Sequence, residues 1–220
     1  MQNSTSNDLD FQMMKKHCEF AQLFYATLFS LCMAGNAFAV DVSKVVEVCT
    51  SCHGAGGAST DPVVPIIGGY SVEFLSNNMK AYKNKERVCP DTTYKSGIKK
   101  GNKTNMCLEL DNVNYEDVDK VAEYFSKQTF VRAKQKFDPE LAKKGKDLHE
   151  EYCESCHAQG GTVATDNAGM MGGQWMFYLK EAFDEFNADM RPVVKKMKAR
   201  LNVLTKDDID ALINYYGSIQ

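Results

Sequence analysis

The sequence predicts an all-α fold of two tandem helical halves, and three observations carry that prediction. The pattern Cys-x-x-Cys-His occurs twice, at Cys49 to His53 and at Cys153 to His157. The segments flanking the two copies recur in the same order, as an internal duplication leaves them. Elsewhere apolar residues return every three or four positions between helix-capping residues, the period of an amphipathic helix rather than of a strand.

The N-terminus is read as an export signal. Lys15 and Lys16 precede the apolar run Phe20 to Ala34, and small residues lead to Ala37-Phe38-Ala39. A positive segment, an apolar core and an A-x-A ending make a secretory signal peptide cleaved after Ala39. The run is short for a membrane span and contains Gln22. Residues 1–39 are therefore extension and signal, and Cys18 and Cys32 leave with them. The mature chain is expected to start at Val40 in the periplasm, an oxidising compartment, with no membrane span. The 220 residues have a formal net charge of -3, without the basic excess of a nucleic-acid binder.

The first domain is expected over residues 40–128, with a short helix from about Asp41, a second from Ser71 to Glu86 and a last from Tyr115 to Lys127. Residues 129–137 form a linker whose Arg132, Lys134 and Lys136 are solvated. The second domain, 138–220, opens with Asp138 as N-cap and Pro139 at the first helical position. Leu141, Gly145, Leu148 and Tyr152 form the inner face of that helix. Gly145, a poor helix residue, predicts close approach by another helix. Gln174 to Asp189 is a second helix through Phe177, Leu179, Phe183 and Phe186. The third starts at a Thr205/Asp208 capping box and turns Ile209, Leu212, Ile213 and Tyr216 inward against Gly145.

The repeated motif is a c-type haem attachment sequence. Two thiols one helical turn apart, Cys49 and Cys52 or Cys153 and Cys156, add to the two vinyl groups on one porphyrin edge. The adjacent His53 or His157 is then brought under the iron as proximal ligand. A zinc ribbon would set its Cys pairs some 15–20 residues apart, whereas these pairs start at Cys49 and Cys153. Two covalent haems c are expected, one per half. Halves this small bury little core unaided, so the apo-protein is expected to be largely unfolded.

The repeat also nominates the sixth ligands. An offset of 104 residues superposes the motifs, Gly68-Gly69 on Gly172-Gly173, and Phe74-Leu75 on Tyr178-Leu179. An offset of 91 superposes Glu116 to Asp119 on Asp207 to Asp210, and sets Met106 on Met197. A methionine in register with the last helix of each half is what a His/Met iron site needs. Met79, Met170, Met171, Met176 and Met190 have no such counterpart and are assigned to core packing. His149 is a rival ligand, but it lies on the helix that carries Cys153. Trp175 is read either as packing on a haem or as a core residue. The offset changes because the first half has extra residues before Met106. Cys89 and Cys107 bracket that insertion, and export favours a disulfide between them.

The stretches Tyr124 to Phe130, Ala133 to Asp138, Leu148 to His157, Gly173-Gln174-Trp175 and Arg191 to Met197 resemble the dihaem cytochrome subunit of flavocytochrome c sulfide dehydrogenase. The likeness covers the linker and most of the second half; the insertion at 89–107 departs from it. The resemblance implies two class I cytochrome c modules facing each other across a pseudo-twofold axis. It also implies His53, Met106, His157 and Met197 as iron ligands. The partner implied is a periplasmic flavoprotein that carries FAD, oxidises sulfide and passes electrons to these haems within a heterodimer, and thence to a downstream acceptor. No catalytic residue is assigned to this chain, since a catalytic haem would need an open iron site and each half offers a methionine. The alternative is a free dihaem carrier between respiratory complexes.

Overall fold

A computed structural model describes residues 42–220; the expected export signal, its cleavage site and the two leader cysteines lie outside them. In the first half, α1 (Val42–His53) carries the first Cys-x-x-Cys-His motif at its C-terminal end. Ser71 starts α2 (Val72–Lys83) by accepting from the Phe74 amide, which satisfies one of the orphan donors of the first turn. A two-residue antiparallel ladder, β1 (Thr92–Thr93) with β2 (Lys103–Thr104), pairs Thr92 with Thr104. It is the one departure from an all-α chain among the described residues. Asn105 caps α3 (Met106–Asp111) through the Leu108 amide, and α4 (Tyr115–Ser126) turns Val118, Val121, Ala122 and Phe125 inward.

The second half repeats these parts. Asp138 accepts from the amides of Glu140 and Leu141 at the start of α5 (Pro139–Tyr152). The short α6 (Ala158–Gly161) follows the second motif, and α7 (Met176–Asn187), α8 (Lys195–Leu201) and α9 (Lys206–Ser218) complete it. Both bonds of the Thr205/Asp208 capping box form. α9 packs most extensively against α5, at Gly145. A Cβ built on that glycine would lie 2.5 Å from the carbonyl carbon of Ala211 and 2.8 Å from Cβ of Tyr215, so only hydrogen fits there.

The two halves share backbone bonds in register. Ile67 N donates to Gly57 O at 2.9 Å, and Met171 N to Gly161 O at 2.8 Å. Gly69 N reaches Phe125 O and Gly173 N reaches Tyr216 O, each at 2.8 Å. The last pair spans both sequence offsets, since its donors lie 104 residues apart and its acceptors 91. Gly69 and Gly173 hold φ of +81° and +86°, where a side chain would be strained.

Apolar clusters sit within each half. One joins Val46, Tyr70, Leu75, Val121, Ala122 and Phe125, and takes in Met170 from the second half. The other joins Leu179, Phe183, Leu201, Ile209, Leu212, Ile213 and Tyr216, so the inward face expected for α9 is the one observed. Several expectations are corrected. The buried stripe of α5 is Ala142, Gly145 and His149, one position round from the stripe read off Leu141 and Tyr152, because the close α9 crossing at Gly145 sets the rotation. Phe177 is half exposed and Met190 is exposed, so neither is core. The linker is more than a surface tether. Its lysines and Arg132 are exposed, but Ala133 is buried and donates to Gly173 O at 2.7 Å. Gln135 bonds both Gln174 O and the Met176 amide.

Candidate haem sites and the interface between them

The two motif histidines sit alike. His53 ends α1 and its Nδ1 lies 2.9 Å from Pro65 O; His157 follows α5 and its Nδ1 lies 3.2 Å from Gly169 O. Both acceptors are twelve residues downstream. A carbonyl can only accept, so Nδ1 carries the proton and the Nε2 lone pair is left free to ligate. Burial lowers the pKa of both rings, favouring the neutral imidazole that a metal requires. Burial also pushes the Cys49 thiol up to about 12, with Glu109 adding to it, and raises that of Cys153. All four motif cysteines are free, Cys156 being exposed, whereas Cys89 and Cys107 form the expected disulfide with Cα atoms 5.8 Å apart.

Met197, on α8, and His157 line one cleft with Met171, Leu179 and Phe183. Met106 opens α3 and packs against the cluster of Leu110, Val113 and Val118, with Val45 and Met79 beside it. Paired thiols, an imidazole oriented by a carbonyl, and a thioether in the same apolar cleft as that imidazole fit a haem c. Among the described residues no three His, Cys, Asp or Glu side chains gather as an all-protein metal site. When bound, haem supplies a one-electron Fe(III)/Fe(II) couple.

His149 is not a free ligand. The ring is fully buried, with Nδ1 2.9 Å from the Tyr216 hydroxyl and Nε2 2.6 Å from Glu154. Both nitrogens are occupied, so the rival reading of this residue falls. At the 104 and 91 offsets the first half has Val45, Thr50 and Phe125 in place of His149, Glu154 and Tyr216. The polar network therefore backs the second motif only.

The contacts between halves use residues that a motif-based reading passes over. The side chain of Gln174 is fully buried and makes four hydrogen bonds. Its Oε1 accepts from Ile66 N at 3.0 Å and Trp175 N at 3.1 Å; its Nε2 donates to Ile66 O at 2.9 Å and Tyr70 Oη at 3.0 Å. The Tyr70 hydroxyl in turn donates to Met170 O at 2.5 Å. Tyr70 and Gln174, like Ile66 and Met170, are 104 residues apart, so the two contacts are pseudo-twofold mates. Trp175 also crosses, its indole N–H donating to Ser59 O at 3.0 Å.

A second cluster is charged. Arg87 Nε and Nη2 both lie 2.9 Å from Glu185 Oε2, and Arg191 Nη1 lies 3.5 Å from the same oxygen. Both guanidiniums also reach Asn78 Oδ1, at 3.4 and 3.0 Å. Arg87 stacks over Tyr82 and Arg191 over Phe186. Arg87 with Arg191, and Tyr82 with Phe186, again differ by 104, which is the sequence signal that could have found them. Two buried cations face one carboxylate, and the surplus is felt nearby. Burial raises the Tyr178 phenol, but Arg87 and Arg191 outweigh it and its pKa falls below the ordinary value. Tyr178 and Arg191 also line the cleft of Met197.

Helical halves that each carry a Cys-x-x-Cys-His motif with a buried histidine are the mark of a class of protein, the c-type cytochromes. A family model described as cytochrome c matches residues 142–220. Cytochrome c-554(548) of Halomonas halodenitrificans is 30% identical over 95 residues, 43% of this chain and 99% of that protein. The chain belongs to the cytochrome c family. The crystal structure of reduced recombinant cytochrome c4 from Pseudomonas stutzeri is similar over 85% of this chain and all of that one, with a TM-score of 0.65 and 26% identity. Cytochrome c4 of Acidithiobacillus ferrooxidans (TM-score 0.63, 22% identity, 78% of this chain and 99% of that one) shares the fold. So does the thiosulfate dehydrogenase TsdBA of Marichromatium purpuratum (TM-score 0.62, 19% identity), with 77% of this chain covering 36% of that one. This chain has the helical cytochrome c fold, in an arrangement like that of cytochrome c4. Among the described residues no helix is long and apolar enough to cross a membrane.

Proposed function

We propose that the chain is an exported, periplasmic electron-transfer protein with two covalent haems, divided as 40–128 and 138–220 about the linker 129–137. Cys49 and Cys52, and Cys153 and Cys156, form the thioethers. His53 with Met106, and His157 with Met197, are the axial pairs. The observation that carries this reading is the duplicated proximal geometry, in which each motif histidine is oriented through Nδ1 by a carbonyl twelve residues on. Arg191 and Tyr178 offer the cleft the cationic and hydroxyl donors that an anionic propionate takes. The hydrogen bonds of Tyr70, Gln174 and Arg87 hold the halves in one arrangement, so that the distance between the two iron sites stays constant for electron exchange. The chain itself moves electrons; substrate chemistry belongs to a partner.

A second reading makes this chain the haem subunit of a flavoprotein sulfide dehydrogenase, with FAD in the other subunit. It is supported by the sequence stretches named above and by the disulfide-closed hairpin beside the first motif, a ready partner surface. Purification from the native periplasm separates the two readings. Flavin that stays with haem through gel filtration supports the subunit; haem without flavin supports the free carrier. The dihaem assignment has its own test. Intact mass should show a chain beginning at Val40 with two haem additions, and Met197→His should lower the potential of one haem only, since thioether favours Fe(II) over imidazole. One haem, or a potential that does not move, would contradict it.

A further inference from the structure

We propose that the hairpin closed by Cys89 and Cys107 is a docking element for an acidic electron-transfer protein, which it seats beside the first Cys-x-x-Cys-His motif. The proposal rests on the electron-transfer reading above and adds the chemistry and place of a partner.

The hairpin is fastened at both ends. At its base are the disulfide and the β1–β2 ladder. Tyr94 and Thr104, both buried, direct their hydroxyls to Glu109 on α3. Along its length it lies on the haem motif itself. Lys95 N and Ser96 N donate to Ser51 O at 3.2 and 3.1 Å, Ser96 Oγ adds a third bond at 3.1 Å, and Lys95 Nζ pairs with Asp61 at 2.9 Å. Ser51 is one of the two residues between Cys49 and Cys52. The second half has no such insertion, and its Cys156 is exposed where Cys52 is half covered.

The hairpin presents a cationic surface outward. Residues 95–103 are all exposed and read Lys-Ser-Gly-Ile-Lys-Lys-Gly-Asn-Lys, four cations and no anion in a protein of net charge -3. Among the described residues Lys100 and Lys103 form no ion pair, while Lys99 lies over the Tyr94 ring at 5.3 Å. Ile98, at the tip, is 105% exposed. An isoleucine so exposed adds nothing to the core, and turns favour polar residues. An apolar tip within a ring of cations has the anatomy of a small interface, an anchor with a charged rim. Weak redox encounters need less than about 1,200 Å², which a hairpin and its surroundings can supply. The charge selects the occupant: a cationic rim attracts an acidic face and speeds its encounter. The reaction transfers one electron, from the partner's reduced centre to the first haem's Fe(III), with no bond made or broken.

The test uses the haem-loaded protein and a reduced plant-type [2Fe–2S] ferredoxin as the acidic one-electron donor. Stopped-flow haem reduction should fall with rising ionic strength in the wild type. At low ionic strength the triple variant Lys99→Glu, Lys100→Glu, Lys103→Glu should slow it by about tenfold or more, within the range that steering spans. The same variant should speed reduction by cationic hexaammineruthenium(II), and Ile98→Ser should raise the dissociation rate with little change in association. Equal rates for wild type and triple variant, or a wild-type rate that rises with salt, would overturn the proposal. So would binding to phosphatidylglycerol vesicles in place of ferredoxin. A wild-type protein that accepts no electron even from dithionite fails differently, by removing the electron-transfer reading beneath it.

Discussion

Replacing Gly145 by alanine sets helix propensity against packing, and the structure decides the sign. In an exposed helix the change would stabilise by about 1 kcal/mol. Here the added Cβ would fall 2.5 Å from the carbonyl carbon of Ala211 and 2.8 Å from Cβ of Tyr215, and nearer still to Ala211 O. The obstacle is the backbone of α9, which cannot turn aside as a flexible side chain would. α5 and α9 must move apart, drawing Leu212, Ile213 and Tyr216 out of the second cluster and stretching the His149–Tyr216 bond. Overpacking of this kind costs about 1–3 kcal/mol, and a rigid obstacle puts it near 3. After the propensity gain a loss of about 2 kcal/mol remains, roughly 4–8 °C in Tm for a chain this long. Thermal unfolding of the haem-loaded protein by far-UV circular dichroism measures it. Lys143→Ala, exposed on the same helix, is the control and should stay within about 0.5 kcal/mol. A Gly145→Ala protein as stable as wild type or more so would refute the close-crossing reasoning.

Three further outcomes are expected. Cys89→Ser should cost about 3 kcal/mol, the value for closing a loop of this length, and should perturb the first haem's spectrum before the second's, because Cys107 adjoins Met106; equal perturbation of both would contradict it. Glu185→Gln leaves two buried guanidiniums without their carboxylate and should cost about 3–5 kcal/mol, read by denaturant unfolding; a loss below 1 kcal/mol would mean another anion neutralises them. Asp208, held by Lys144 and then by Thr205, has its pKa lowered from 3.8 to about 2. Its contribution is present above pH 3.8 and is lost as pH falls through about 2, so Asp208→Asn should be less stable than wild type at pH 6, with the difference shrinking as pH falls through 2.

Local chemistry was legible in the sequence because it is written in short spacings. Ser71 marks the start of α2, Asp138 with Pro139 that of α5, and the Thr205/Asp208 box that of α9; all three are observed, since a cap depends on residues within one turn. The motif histidines, the partner helix of Gly145 and the Cys89–Cys107 disulfide could likewise be read from position. Tertiary structure decided what depends on contacts between distant segments. The rotation of α5 was set by α9, which buried His149 and gave both its nitrogens to Tyr216 and Glu154. The linker was drawn into the interface because Gly173 O and Gln174 O needed donors. Arg87, Glu185 and Arg191 read singly as surface charges, and only the meeting of the two halves removes them from water and makes them a cluster. A lone charge in a sequence carries no sign of its burial; the desolvation that gives it a role exists only once both surfaces are in place.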